Sequence, residues 1–204
     1  MKERHAAVAD EAQRVTDALA FWQAYDPSVR VDLSCCAVRG EDGWVFVDPI
    51  PLVREALNEL LELAPPACIF LTNGNHARAA EEYRETFSIP VLAHEDAAPE
   101  LGISVDRFVR EGDVIAGGMR VIELAGAGPG EVALLSHVGL HVGDALIHLA
   151  AEGFTLLPDK YCSDPKKLRQ NLRKLLNVEF TLMTFAHGLP LLKNPRETLA
   201  QLFA

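Results

Sequence analysis

The segment from residue 67 to residue 93 constrains the fold of this chain most strongly. Residues 67–71 and 89–93 are short apolar runs, and residues 76–87 between them carry a helical pattern. Two buried strands separated by one helix are typical of a parallel pair, because parallel neighbours need a long crossover connection. The pattern therefore predicts a β-α-β unit whose first loop, residues 72–75, is rich in turn-forming residues.

Further strands and helices flank this unit on both sides. Two β-rich runs around a glycine-containing connection predict a hairpin over residues 29–47, and an amphipathic helix is expected over residues 51–63. After residue 112 the pattern predicts strands at residues 119–124, 131–135, 140–142, 145–149 and 180–185, and helices at residues 166–176 and 195–203. Two such halves predict an α/β (α+β) fold in which two mixed β-sheets pack face to face with helices on the outside, an αββα sandwich.

The N-terminal residues are interpreted as a helical extension of this fold. Val15, Leu19 and Trp22 recur at helical spacing, so a helix is predicted over residues 8–25, ending before Pro27. The length of 204 residues fits one domain. We therefore expect a single domain over residues 1–204, of which residues 1–27 form the extension.

Charge and hydropathy argue against several classes of partner. A formal net charge of −10 repels phosphate backbones and anionic lipid surfaces. No apolar run reaches the length of about 18 residues that a membrane-spanning helix needs, and the N-terminus lacks the apolar region of a secretory signal. The sequence therefore predicts a cytoplasmic protein that binds neither nucleic acid nor membranes.

The four cysteines fit a reducing compartment. Cys35 and Cys36 are adjacent, so they point to opposite faces of any strand that holds them, and Cys68 and Cys162 stand alone. No Cys-x-x-Cys pair occurs. We expect reduced, mostly buried thiols and no zinc site built from cysteine.

Four features of the chain occur in an order that resembles a known family. Asp48 ends the hairpin, residues 70–76 form a strand-to-loop junction, a glycine-rich turn at residues 125–131 precedes Val-Gly-Asp144, and His187 follows the last predicted strand. Together they resemble the metallo-β-lactamase superfamily over roughly residues 29–190. This resemblance implies a site where histidines and carboxylates hold Zn²⁺ or a related metal and leave one position open for water, whose pKa the metal lowers to about 7.

The resemblance implies a Thr-His-x-His-x-Asp-His signature that this chain does not keep. Thr72 matches the threonine, but Asn73 and Asn75 stand at the first two histidine positions. Ala77 and Arg78 replace the signature's aspartate and last histidine. Neutral amides are poor zinc ligands, and a guanidinium does not deprotonate, so this loop is expected to contribute little to metal binding.

Two residues survive at the other ligand positions. Ala127 stands where the glycine-rich turn would carry a third histidine, whereas Asp144 matches the bridging aspartate and His187 the final histidine. Asp144 and His187 are therefore the candidate catalytic residues and the candidate metal ligands. The pocket around them is expected to include Asp48, Thr72, Asn73, Asn75, His76 and Arg78.

Two alternatives for the loop stay open. In the first, sliding the loop by one residue puts His76 at the second histidine position, which makes His76, Asp144 and His187 three candidate ligands. In the second, the positive charge of Arg78 replaces the metal ion and pairs with Asp144. Plainer roles also stay open: Asp48 as a turn residue, Asn73 as a loop former, and His76 near a helix start.

Three functions follow from these residues. The first is a domain with most metal ligands lost, catalytically inactive, that binds a small molecule or a protein. The second is a residual hydrolase of a small ester, thioester or lactone, as the glyoxalase-type branch of the family implies. The third is an assembly subunit, a homodimer whose interface uses the N-terminal helix and the apolar C-terminus. The expected cofactor is none, or one weakly bound divalent metal such as zinc.

Overall fold

The computed structural model describes residues 7–204. Its larger sheet has seven strands in sequence order, so each strand pairs with the next. These strands are β1 (Gln13–Thr16), β2 (Leu19–Asp26), β3 (Val31–Gly40), β4 (Gly43–Val47), β5 (Pro66–Leu71), β6 (Val91–His94) and β7 (Arg107–Val109).

The second sheet is built from the C-terminal half. The remaining strands are β8 (Val114–Ile115), β9 (Met119–Glu123), β10 (Val132–Leu135), β11 (Leu140–Val142), β12 (Leu146–Leu149), β13 (Gly153–Leu156) and β14 (Met183–Phe185). Five of them pair in the order β14-β11-β10-β9-β8, and β12 pairs with β13 as a separate ribbon. The helices are α1 (Arg54–Leu63), α2 (Ala80–Phe87), α3 (Ala98–Leu101), α4 (Pro165–Leu172) and α5 (Pro195–Gln201).

The two sheets face each other across an apolar layer, which confirms the predicted sandwich. Phe70 from β5 packs in one buried cluster with Val121 and Leu134 from the second sheet. A second cluster lies beneath α1 and α2, where Leu60 and Tyr83 meet the outer face of the larger sheet. The third cluster covers the outer face of the other sheet with α4 and α5. The layers are therefore helix, sheet, sheet and helix.

The predicted β-α-β unit and hairpin are confirmed. β5 and β6 pair in parallel with α2 between them, and β3 and β4 pair antiparallel around a turn at residues 41–42. The helix of the unit begins at Ala80 rather than at residue 76, so His76 belongs to the loop after β5. Beyond α4 the predicted helix continues as a 3₁₀ turn over Arg173–Asn177.

The predicted N-terminal helix is wrong. Residues 13–26 form strands β1 and β2, and β2 pairs with β3 along its whole length. Trp22 packs beneath the helices and donates its indole N–H to the carbonyl of Ile50 (3.0 Å), while Leu19 packs between the sheets. The spacing of Val15, Leu19 and Trp22 fits a helix, but a strand buried on both faces also spreads its apolar residues this way. Residues 1–6 of the expected extension lie outside the described residues.

The four cysteines form no disulfide, and the C-terminal helix packs into the core. All four cysteines are free, and Cys35 and Cys36 lie in different apolar clusters on opposite faces of β3. Leu199 of α5 is fully buried in the third cluster. The apolar C-terminus therefore packs largely into the domain's own core. No helix within residues 7–204 is long and apolar enough to cross a membrane.

The fold brings four strand ends to one edge of the sandwich. Asp48 follows β4 and Thr72 follows β5 in the larger sheet, and β4 and β5 are parallel. In the second sheet Asp144 follows β11, and His187 follows β14, which is parallel to β11. The edges are tied together where the backbone N–H of Val132 donates to the carbonyl of Thr72 (2.8 Å). Polar side chains from distant parts of the sequence therefore meet at this edge.

Candidate metal centre

Three side chains converge at the shared edge of the two sheets. The Nε2 atoms of His76 and His187 each lie 3.2 Å from Oδ1 of Asp144. One potential ligand atom from each residue lies within 4.8 Å of the others. His76 has 3% of its side chain exposed, whereas Asp144 has 15% and His187 has 19%. The group is therefore open to solvent on the side of Asp144 and His187.

The ring of His76 is oriented by Asp48. Nδ1 of His76 lies 3.0 Å from Oδ2 of Asp48 and 2.9 Å from Oγ1 of Thr72. Thr72 donates its backbone N–H to Oδ1 of Asp48 (2.8 Å) and its hydroxyl to Oδ2, so the buried carboxylate is held on both oxygens. Because an ionised carboxylate only accepts hydrogen bonds, Nδ1 of His76 carries a proton and Nε2 faces Asp144.

The ring of His187 is oriented by a backbone carbonyl. Its Nδ1 donates to the carbonyl of Asp32 (3.1 Å), and His187 forms an isolated antiparallel bridge with Leu33 of β3. Gly188 follows with a φ of 92°, and a Cβ there would lie 2.0 Å from the carbonyl of His148. The chain can turn beside the ring only because residue 188 is glycine.

The three residues suit a divalent cation. Oδ1 of Asp144 is buried and makes no well-directed hydrogen bond within residues 7–204. Both histidines donate from Nδ1, so in their neutral forms two Nε2 lone pairs face an acceptor oxygen, and a cation is needed among them. The 3.2 Å separations match the spacing of about 3.3 Å between ligand atoms of a tetrahedral zinc site. Three protein ligands with one open position are typical of catalytic zinc.

Protonation of His76 supplies part of this positive charge in the metal-free protein. Burial opposes the imidazolium, but the carboxylates of Asp48 and Asp144 outweigh burial and raise the pKa of His76 to about 9. For Asp144, burial favours the neutral acid, yet His76 and His187 outweigh it and hold the pKa of the carboxyl well below its usual range. A bound metal ion would therefore displace a proton from His76.

Glu131 is a site residue that the sequence analysis did not single out. It follows the glycine-rich turn, is 2% exposed, and accepts the backbone N–H of Ala145 on Oε1 (2.9 Å). The amide of Asn73 donates to Oε2 of Glu131 (2.8 Å) and to Oδ2 of Asp144 (3.1 Å). Burial, and then the charge of Asp144, raise the pKa of Glu131 to about 8. The sequence signal that could have identified Glu131 is its position directly after the glycine-rich turn.

Other loop residues lie beside the group without contributing ligand atoms. Asn75 donates its backbone N–H to Oδ1 of Asn73 (2.8 Å), and its side-chain amide lies beside Gly128. Ala127 is buried at the position of the turn histidine, so it offers no ligand. No other set of three histidine, cysteine or acidic side chains with metal-ligand spacing occurs among residues 7–204.

Arg78 does not replace a metal ion beside Asp144. Its guanidinium donates to the carbonyls of Ser34 (2.7 Å), Asp48 (3.0 Å) and Ala186 (3.2 Å). No ion pair joins Arg78 to Asp144 in the part of the chain that the structure describes. The expected pairing is wrong because the loop directs the side chain toward three backbone carbonyls, one within β3, one after β4 and one after β14, where its donors tie both sheets together.

The structure brings together two of the predicted ligands with the third residue of the shifted register. Asp144 and His187 lie with His76, and Thr72 keeps its contact with Asp48 in the same loop. Thr72 and His76 therefore act together.

Comparisons with known proteins agree with this architecture. Residues 13–204 match the family model described as the metallo-beta-lactamase superfamily. The structure resembles the crystal structure of DIM-1 metallo-beta-lactamase (TM-score 0.72, 14% identity, 96% of this chain and 100% of that chain). It equally resembles a metallo-beta-lactamase from Erythrobacter litoralis (TM-score 0.72, 14% identity, 94% of each chain).

The same fold also carries other chemistry. A flavoprotein from Thermotoga maritima matches with a TM-score of 0.71 at 12% identity, over 94% of this chain and 60% of that chain. At such identities the likeness concerns the fold alone. No curated protein matches the sequence. From the family model, which spans nearly the whole sequence, we conclude that the chain belongs to the metallo-β-lactamase superfamily.

Proposed function

We propose that this protein is a hydrolase that uses one divalent metal ion, zinc in the first instance, to cleave a small ester, thioester or lactone. The observation that supports it is the convergence of Nε2 of His76 and Nε2 of His187 on the unpartnered Oδ1 of Asp144. The substrate class comes from the family resemblance, since the site's geometry selects a cation but not a leaving group.

The roles of the residues follow from their contacts. His76, Asp144 and His187 would hold the ion, which supplies Lewis acidity that activates water near neutral pH and polarises a carbonyl. Asp48 and the carbonyl of Asp32 keep the two rings protonated on Nδ1, so that both Nε2 atoms stay available. The exposed side of Asp144 and His187 leaves room for a substrate to approach.

The proposal is limited to one metal ion because the other ligand positions are occupied by poor ligands. Three of the family's histidine positions are occupied by Asn73, Asn75 and Ala127. The guanidinium of Arg78 donates to backbone carbonyls. These substitutions favour a second candidate, in which the domain binds a small molecule or a protein without catalysis. In that case the site would be a remnant, and the positive charge on His76 would take the place of the ion.

Elemental analysis separates the two candidates. The protein is purified without chelator or an affinity metal column, and zinc, iron, manganese and nickel are measured. The hydrolase proposal predicts about one metal per chain, lost in Asp144→Ala and His187→Ala and retained in His137→Ala, which changes an exposed histidine that is not a member of the ligand group. Metal well below one per chain after zinc is offered supports the non-catalytic domain. A protein that holds zinc is then tested on p-nitrophenyl acetate, a thioester and a lactone.

We also propose that the protein lies in the cytoplasm. Four free cysteines, three of them buried, support a reducing compartment. A homodimer stays a prediction without its original basis, because residues 13–26 are strands and Leu199 is buried. Fractionation of cells tests the location, and the solution mass tests the homodimer.

A further inference from the structure

One amide faces two acid side chains, the buried Glu131 and the partly buried Asp144, which is itself a proposed metal ligand. Glu131 is 2% exposed, and Asn73 is fully buried. Nδ2 of Asn73 lies 2.8 Å from Oε2 of Glu131 and 3.1 Å from Oδ2 of Asp144. A single NH₂ group therefore donates one hydrogen to each carboxylate.

The orientation of this amide is determined by its own loop. Oδ1 of Asn73 accepts the backbone N–H of Asn75 (2.8 Å), so the oxygen faces the loop and the NH₂ group must face the carboxylates. A flipped amide would place oxygen against two acceptors and lose three hydrogen bonds. Asn73 is therefore held as a double donor.

Glu131 is also held at its second carboxyl oxygen, Oε1. Oε1 accepts the N–H of Ala145, and the backbone at Gly143 passes so close that a Cβ there would lie 2.8 Å from Oε1 and 2.4 Å from Oγ1 of Thr72. The bridge thus runs from a fixed acid through Asn73 to Asp144. Because Oδ2 of Asp144 is engaged, its Oδ1 is the oxygen that faces the two histidines.

We propose that Asn73 is a positioning residue whose NH₂ group takes the place of a second cation between Glu131 and Asp144, and so restricts the site to one metal ion held on Oδ1. Oε2 of Glu131 and Oδ2 of Asp144 are both acceptor oxygens, and acceptor oxygens held this close repel each other unless positive charge or donors lie between them. The amide supplies the donors without a net charge. The metal part of this inference rests on the proposed function, whereas the bridge itself does not.

The first experiment measures zinc binding by competition with a chromophoric chelator. We expect the wild type to saturate at one zinc per chain, and Asn73→Ala to bind about 10- to 100-fold more weakly, as loss of a group that orients a ligand does. Asn171→Ala is the matched control, because that amide also donates twice, to the carbonyls of Ala125 and Lys167 (both 3.0 Å), but to no carboxylate. Two zinc ions in the wild type, or an affinity of Asn73→Ala within about twofold of wild type, would overturn the proposal.

The second experiment needs no metal. In the presence of excess chelator, Asn73→Ala should lower the melting temperature, and adding Glu131→Gln should recover at least half of the loss. The glutamine still accepts from Ala145 and replaces one of the two facing acceptor oxygens with a donor, whereas a mere loss of packing at residue 73 would not be rescued. If Asn73→Ala fails to fold, recovery of a folded double variant is the same result. A double variant that is no more stable than Asn73→Ala contradicts the bridge. A wild type that binds no zinc refutes the proposed function and leaves the melting result to judge Asn73.

Discussion

Nδ1 of His76 lies 3.0 Å from Oδ2 of Asp48, two residues that are 28 positions apart in the chain. This contact turns Nε2 of His76 toward Asp144 and determines which atom is available for a metal ion. The carboxylate is itself held by the backbone and hydroxyl of Thr72. The side chain of Asp48 therefore supports the site through Thr72 and His76.

Replacing Asp48 should change both the pKa of His76 and the affinity for metal. The carboxylate helps to raise the pKa of His76, so Asp48→Asn should lower that pKa from about 9 in the zinc-free protein, measured by NMR titration. Zinc binding should weaken by about 10- to 100-fold. Asp32→Asn is the control, because Asp32 contacts His187 through its carbonyl only. A pKa that stays near 9 in Asp48→Asn would show that Asp48 does not set it.

Zinc affinity should rise with pH. His76 carries a proton up to about pH 9 in the metal-free protein, and that proton must leave before Nε2 can bind a metal ion. Between pH 7 and pH 9 the affinity should increase by about tenfold per pH unit, after correction for protonation of the competing chelator. An affinity that is constant over this range would mean that His76 is not a ligand.

Loss of Arg78 should destabilise the fold rather than the metal site. Its guanidinium donates to three backbone carbonyls, one within β3, one after β4 and one after β14, in both sheets. Arg78→Leu should lower the free energy of unfolding by about 3 kcal/mol, because hydrogen bonds from a charged donor are lost and carbonyls are left without partners. The free energy of unfolding of Arg78→Lys should lie between those of wild type and Arg78→Leu, since one ammonium cannot reach all three carbonyls. Urea denaturation measures the series, and an unchanged midpoint in Arg78→Leu refutes the assigned role.

Acid should destabilise the protein through His141. The ring is fully buried between Ser136 and Thr184, and burial, aided by the charge of His137, lowers its pKa to about 3. The unfolded state takes up a proton near pH 6.5, which the folded state does not do until about pH 3, so stability falls as pH falls through this window. The contribution is at most about 1.4 kcal/mol per pH unit. In denaturation at pH 5 to 7, His141→Gln should show a shallower dependence than wild type; equal slopes would assign the loss to other groups.

Gly143 should not tolerate a side chain. A Cβ there would lie 2.4 Å from Oγ1 of Thr72, so Gly143→Ala must displace the threonine that holds Asp48. The overpacking should cost about 1–3 kcal/mol of stability and weaken zinc binding. Gly128→Ala is the control, since its Cβ would meet its nearest neighbour, the amide of Asn75, at an ordinary 3.5 Å. Equal melting temperatures of the two variants would contradict the close approach.

Local patterns predicted the elements whose ends are marked by turn-forming residues. The hairpin of β3 and β4 and the unit of β5, α2 and β6 have boundaries that turn-forming residues determine. The N-terminal strands were mistaken for a helix because the first half of β2, residues 19–22, is buried on both faces. Their pairing with β3 is a contact with a later segment, which periodicity within residues 8–25 does not contain.

The sequence by itself determined the fold class and the four loops of the site, and it pointed to Asp144 and His187 as candidate ligands. Only the tertiary structure decided that His76 joins them, that Arg78 turns to carbonyls, and that Glu131 belongs to the site. The physical reason is that ligand geometry depends on where strand ends meet. Asp48, Thr72 and His76 lie close in space because β4 and β5 are parallel neighbours. Asp144 reaches them from the facing sheet, a contact that spans more than sixty residues of sequence and has no local signal.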